Sequence, residues 1–401
     1  MTDETHDHQT HDPLASARRI VVKVGSALVA QQDGGPAQDW LNALADDLAA
    51  IKKRDADILI VSSGAVALGA AQLGLTPAQG ASLRLEEKQA AAAAGQLNLM
   101  NAWRSALSGV GVNVAQILLT LDDTEDRRRY LNARATLETL LDLGALPIVN
   151  ENDTIATDEI RYGDNDRLAG HLAQMVGADL MIMLSDVDGL YTSDPHTDRS
   201  ASHIPVIRQI DEAVVAAAGG PNKARGAGSG GMATKIEAAR IAVNAGCAAI
   251  VARGDGERPL SALRAGARRT LFEPQGSPEK ARRSWIAGRL QTSGSVTIDA
   301  GALAALRNGA SLLPAGVSHI GAAFSKGDAI SIRGPDGDLV ATGLSAYDSS
   351  DAARITGKKS DEIEEILGYR RAALVHRNDL VMVSSLSPNA LSQHRNRTST
   401  P

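Results

Sequence analysis

The chain has 401 residues, 43% of them hydrophobic and only 2% aromatic, with a formal net charge of −6. The length and apolar content suit two folded domains rather than a disordered chain, and the scarcity of aromatic rings disfavours a stacking platform for single-stranded nucleic acid. No run approaches the ~18 apolar residues of a membrane span and no apolar signal segment opens the chain, so neither membrane insertion nor export is expected.

Residues 1–17, acidic and carrying His6, His8 and His11, read as a disordered tail. Arg19 to Val24 reads as a first buried strand ending in Gly25-Ser26. Lys23, near the end of that strand, is costly to bury unpaired and is expected to point into a cleft. Gly25 would let the backbone approach a ligand. Neither a Walker loop nor a G-x-G-x-x-G follows, which counts against a dinucleotide site. A helical pattern covers 38–54, and Asp57–Val61 reads as a second strand followed by Ser62-Ser63-Gly64-Ala65. That turn either presents hydroxyl and N–H donors to an anion or is a plain N-cap. Residues 87–107 form an Ala-rich helix and 112–119 a strand, and the charged stretch Asp122–Arg134 reads as a solvated helix face.

Ala145–Val149 reads as a short buried strand, and past its end lie Asn150, Glu151, Asn152, Asp153 and Thr154, then Gly163, Asp164, Asn165 and Asp166. In open α/β sheets the carboxyl edge of the strands is where ligands bind. These amides and carboxylates can hold a zwitterion or organise cationic side chains; they can also simply make a turn. A helix is expected over 167–176. Ala178–Leu184 is another buried strand, ending in Ser185-Asp186. Then Gly226 through Lys235 forms a glycine-rich loop running into a helix to about residue 245. Free N–H groups and the helix dipole suit phosphate there, with Lys235 adding a point charge; a bare linker is the plainer alternative. A further strand covers 246–252, with Cys247, the only cysteine, in its apolar run. One cysteine excludes an intrachain disulfide and suits a reducing, cytoplasmic compartment.

Strand–helix alternation to about residue 275 predicts an α/β domain with a mostly parallel sheet flanked by helices. Gln275-Gly276-Ser277-Pro278 opens a linker over 275–280. Beyond it, strand-like runs at Ser295–Ile298, Ala329–Ile332, Leu339–Leu344 and Ala372–His376 predict a small β-rich domain over 281–380, and 381–401 reads as a second disordered tail. Residues 281–401 carry +3 and residues 1–280 carry −9, so clustered basic charge for RNA phosphates is lacking.

The order of Val22-Lys23-Val24-Gly25-Ser26, Ser62-Ser63-Gly64-Ala65, Asn150-Glu151-Asn152-Asp153, Gly163-Asp164-Asn165-Asp166, Gly189-Leu190-Tyr191 and Gly230-Gly231-Met232-Ala233-Thr234-Lys235 resembles the glutamate 5-kinase family. The likeness covers about residues 18–380, with Ser185, Ser229 and Ala233 as small departures from residues common there. It implies an amino acid kinase fold over 18–274 with a C-terminal PUA domain, ATP and Mg²⁺, and L-glutamate as acceptor. It also implies Lys23, Lys235 and Asp166 as catalytic; Ser63, Asp153 and Asn165 at glutamate; and Lys23, Gly25, Ser185, Asp186, Ser229, Gly230, Gly231, Met232, Ala233, Thr234 and Lys235 at ATP. Feedback inhibition by proline, a dimer or tetramer, and a glutamyl phosphate reductase as pathway partner follow from the same likeness. Other amino acid kinases, an RNA-binding regulator and a dehydrogenase are the competing readings. RNA binding by the second domain is left without support from charge, and a dehydrogenase is disfavoured by the missing dinucleotide fingerprint.

Overall fold

A computed structural model describes residues 12–31, 33–75, 83–156, 164–195, 197–219, 231–277, 292–371 and 373–382. The chain divides into two compact units. One takes in the chain to Glu125 and again from Ala133 to Pro278; the other takes in Asp126–Asn132 and the chain from Glu279 onward.

The first unit contains strands β1 (Arg19–Val24), β2 (Asp57–Ser62), β3 (Val114–Leu119), β4 (Leu146–Glu151), β5 (Leu180–Ser185), β6 (Leu190–Tyr191), β7 (His203–Ile204), β8 (Val206–Ile207), β9 (Ala248–Arg253) and β10 (Arg269–Phe272). Eight of them form one sheet in the order β3-β4-β2-β1-β5-β9-β10-β8, and β6 pairs with β7 separately. All neighbours in the large sheet run parallel except β9 and β10. Every residue of β4 and of β5 is buried, as expected for parallel strands covered by helices on both faces. The sheet continues from β1 through β2 on one side and through β5 on the other. The C-terminal ends of β1, β2, β4 and β5 therefore lie along one edge, around the point where strand order reverses, which is where such sheets open a ligand crevice. No helix among the described residues is long and apolar enough to cross a membrane.

Two helices that frame this edge touch backbone to backbone. A Cβ added to Gly69, in helix Ala65–Gln72, would lie 1.7 Å from the Ala91 carbonyl oxygen. One added to Gly95, in helix Leu85–Ser108, would lie 1.9 Å from that of Ala65. Only glycine permits so close a crossing.

The structure corrects several expectations. Asn150 and Glu151 lie inside β4 rather than past its end, because the ladder with β3 extends through Leu118 and Leu119. The helix after the acidic cluster begins at Asp164, not 167. Pro13–Ser16, within the stretch read as a tail, is a helical turn with Leu14 fully buried. The charged stretch read as a solvated face becomes two helices, Leu121–Glu125 and Arg127–Asp142, with Arg134 buried.

The second unit holds β11 (Gly294–Ile298), β12 (Val317–Ala322), β13 (Ala329–Arg333), β14 (Leu339–Leu344) and β15 (Leu380–Met382), paired in the order β12-β11-β13-β14-β15. Val296, Ile298, Ile330, Ile332 and Tyr347 form its own core. Of the expected strand runs, Ala372–His376 differs: Val375 makes an isolated bridge with Leu312, and residue 372 lies outside the described residues.

Candidate active site

Lys23 sits in central strand β1, in register with Val61 of β2 and Met183 of β5. Its side chain is buried, and its Nζ lies 2.7 Å from Asp166 Oδ1. Asp166, in the first turn of helix Asp164–Val176, is fully buried. Its other oxygen, Oδ2, meets Lys235 Nζ at 3.3 Å and accepts from Thr234 Oγ1 at 2.9 Å. Lys235 is also buried, one turn into helix Met232–Asn244. Residues more than two hundred positions apart thus converge because β1 and the starts of two helices share one sheet edge.

The electrostatics follow from that burial. Desolvation works to raise the pKa of Asp166, but the Lys23 and Lys235 charges, with hydrogen bonds from Lys23 and Thr234, outweigh it and hold the carboxyl well below the usual carboxylate range. Burial pushes the Lys23 pKa down; Asp166 opposes that and the neighbouring Lys235 charge adds to it. Among these three buried groups positive charge is in surplus, a setting for an anion, with the exposed Asp186 carboxylate acting on Lys23 from outside the trio.

Around the cluster, Gly231 caps helix Met232–Asn244 and, having no side chain, makes no side-chain cap bond to its first N–H groups. Met232 and Ala233 are half-buried in the first turn. Gly25 adopts an ordinary extended conformation, and an added Cβ would make only an ordinary 3.6 Å contact with the Leu184 carbonyl oxygen. The backbone therefore does not require a glycine there, and any need for one must come from a ligand. Gly64 is different: its φ of +120° demands glycine. Ser185 ends β5, is buried, and its hydroxyl lies 3.0 Å from Oδ1 of the exposed Asp186. Ser229 and Gly230 lie outside the described residues, as does Gly163.

On the β2 and β4 side, the Ser63 hydroxyl does not cap the following helix, whose cap is Gly64 with no side-chain bond. Ser63 Oγ instead accepts from Asn165 Nδ2 at 3.0 Å. The same Nδ2 donates to Asn150 Oδ1 at 3.0 Å, and Asn150 Nδ2 donates to Gln96 Oε1 at 2.7 Å. Asp153 is buried beside them in sequence. The turn reading holds for the segment after β4, where Ile155 N donates to the Asn152 carbonyl and Thr154 Oγ1 to Asn152 Oδ1. Gln96 is the residue that sequence reasoning missed. It interrupts an Ala-rich helix without a motif, and only its place behind Asn150 marks it.

The amino acid kinase family model matches residues 18–253, and a PUA domain model matches residues 294–367. The chain belongs to the amino acid kinase family. It is 53% identical over 384 residues to a protein named glutamate 5-kinase from Rhizobium etli, covering 96% of this chain and 97% of that one. It is 55% identical over 373 residues to a glutamate 5-kinase from Sinorhizobium fredii, covering 93% and 94%. Among solved structures it is similar to a UMP kinase from Bacillus anthracis, with 17% identity and a TM-score of 0.43, covering 65% of this chain and 98% of that one.

Proposed function

We propose that this chain transfers the γ-phosphoryl group of ATP to the side-chain carboxylate of L-glutamate, giving L-glutamyl 5-phosphate, the first step of proline biosynthesis. The observation that carries the reading is the buried pair Lys23 and Lys235 held on one carboxylate, Asp166, at the sheet's ligand-binding edge; the relatives named glutamate 5-kinase supply the acceptor. Glutamate's side chain, with a reference pKa of about 4.3, is already ionised at neutral pH. No general base is required, and the chemistry reduces to alignment and neutralisation of charge.

In this scheme Lys23 and Lys235 stabilise the negative charge of the phosphoryl group in transit, and Asp166 fixes where their ammonium groups sit. Gly25, Gly230 and Gly231 offer backbone N–H groups, and Ser185, Asp186 and residues 229–235 line the nucleotide side. Ser63, Asp153 and Asn165 hold glutamate, Asp153 suiting its ammonium group. Among the described residues no group of three or more His, Cys, Asp or Glu side chains could hold a metal alone. The exposed Asp186 carboxylate at the end of β5 would be a protein oxygen for Mg²⁺ shared with nucleotide phosphates, an ion that keeps several waters and needs few protein oxygens. When bound, the ion adds neutralisation of phosphate charge.

The further reading is that the kinase domain spans 18–274, a linker 275–280 and the PUA domain 281–380, in a cytoplasmic dimer or tetramer. Proline, as a cyclised relative of glutamate, would inhibit at a site overlapping that of the acceptor. The product is a reactive acyl phosphate, so a glutamyl phosphate reductase would consume it. The test is ADP release by the purified chain with glutamate, aspartate, N-acetylglutamate, carbamate or UMP as acceptor, with hydroxylamine trapping of the acyl phosphate. Glutamate-dependent turnover is expected; turnover with another acceptor alone would overturn the proposal.

A further inference from the structure

Two side-chain atoms on the acceptor side, Asn165 Oδ1 and Gln96 Nε2, are buried with no hydrogen-bond partner among the described residues. They belong to a single relay. Asn165 uses Nδ2 on Ser63 and Asn150, and Asn150 passes its own Nδ2 to Gln96 Oε1. The three amides run in one direction along the relay, and turning Gln96 by itself would set its NH₂ against that of Asn150. What remains is an open acceptor on Asn165 and an open donor on Gln96. Buried polar groups in folded proteins are nearly always paired, so two open groups on one network mark a place that a ligand completes. An acceptor and a donor are the complement of the ammonium and α-carboxylate of an amino acid. The frame is closely packed: a Cβ added to Gly95, next to Gln96, would lie 1.9 Å from the carbonyl oxygen of Ala65, two residues past Ser63.

We propose that Gln96 is an acceptor-specificity residue whose Nε2 donates to the α-carboxylate of the amino acid substrate, while its Oε1 holds Asn150 in place. This rests on the reading of the chain as a glutamate kinase.

The test is steady-state kinetics of the full chain and its Gln96→Glu and Gln96→Leu variants with L-glutamate and with L-isoglutamine, in which an amide replaces the α-carboxylate and the reacting carboxylate remains. Gln96→Glu keeps the acceptor for Asn150 and replaces the donor with a like charge. Losing one hydrogen bond to a charged group predicts a glutamate KM at least about ten-fold higher. The KM for ATP and the kcat at saturating glutamate should stay within about two-fold, the lost hydrogen bond being one that the bound substrate and the transition state share equally. Isoglutamine should lose less than glutamate in Gln96→Glu, because its amide can donate to the new carboxylate. A glutamate KM within two-fold of wild type, or equal losses for both acceptors, would overturn the assignment. If neither variant folds by circular dichroism, the wild type still decides: about a ten-fold preference in KM for glutamate over isoglutamine supports the contact, and equal values refute it. A wild type with no glutamate-dependent turnover would instead sink the functional reading beneath it.

Discussion

Replacing Asp166 with Asn isolates what the central carboxylate does. The change is nearly isosteric, so packing stays and only charge and donor pattern alter. Asp166 forms an ion pair with Lys23 at 2.7 Å through one oxygen and accepts from Lys235 and Thr234 on the other. Whichever way an Asn amide is turned, its NH₂ meets a donor, and two buried ammonium groups lose the carboxylate they share. Removing one partner of a buried ion pair costs about 3–5 kcal/mol. At roughly 2–4 °C per kcal/mol for a unit of this size, the melting temperature should fall by about 6–20 °C. The pH dependence provides a second reading. The Lys23 pKa already lies below its ordinary value, and without Asp166 it should fall further. The unfolded chain then binds more protons than the folded one between the depressed pKa and the free value of about 10.4, so stability rises with pH across that window. Thermal melts followed by circular dichroism at several pH values, without nucleotide, should show the deficit largest near neutrality and shrinking toward alkaline pH. A melting temperature within about 2 °C of wild type at neutral pH would refute the claim that this carboxylate makes the two lysines tolerable.

Four further outcomes follow from the same geometry. Lys23→Ala or Lys235→Ala should lower kcat by about two or more orders of magnitude with glutamate KM largely kept, as for loss of a group that acts in the transition state; near-wild-type turnover would remove either residue from the mechanism. Glutamate-dependent ADP release should decline with rising pH before the ordinary lysine value is reached, since the Lys23 pKa is lowered; a flat profile to pH 10.5 would contradict that. Proline should raise the apparent KM for glutamate, and inhibition untouched by saturating glutamate would rule out an overlapping site. Residues 1–278 alone should fold and retain glutamate-dependent ADP release; a folded but inactive fragment would place part of the active site beyond the linker.

Much of the first unit was legible because a covered parallel sheet writes continuous apolar strands with polar punctuation at their ends. β1, β2, β4, β5 and β9 each fell within a few residues of the expected place. The same pattern exposed Lys23, a cation where burial is expensive. Less legible was anything decided by partners distant in sequence. Asn150 and Glu151 look like turn residues, yet pairing with β3 draws them into a strand. Arg134 looks solvated by composition and is buried by tertiary packing. β10 is four residues with an antiparallel partner in a parallel sheet, and nothing local announces that reversal. β12 alternates poorly, with most of its residues exposed or half-buried. Gln96 carries no motif, and its meaning comes from what stands opposite it.

The charge account of the site also orders its variants. With both lysines protonated, the cluster of Lys23, Asp166 and Lys235 has one more positive charge than negative. Substituting Lys23 with Met removes the surplus and leaves a balanced pair, Asp166 with Lys235, still supported by the Thr234 hydroxyl. It leaves Asp166 Oδ1 short of a partner, a cost of about 1–3 kcal/mol, but it also removes a charge that burial already disfavours. Lys23→Met should therefore melt well above Asp166→Asn, which takes the buried carboxylate away from two ammonium groups where the other removes one of those groups. Turnover should not follow that order: Lys23→Met should be as deficient in kcat as Lys23→Ala, because the group that meets the phosphoryl charge is gone in both. Differential scanning calorimetry on the two variants, paired with saturating-substrate rates, separates these effects. If Lys23→Met melts at or below Asp166→Asn, the surplus-charge account fails, and the lysine is held by interactions other than the carboxylate beneath it.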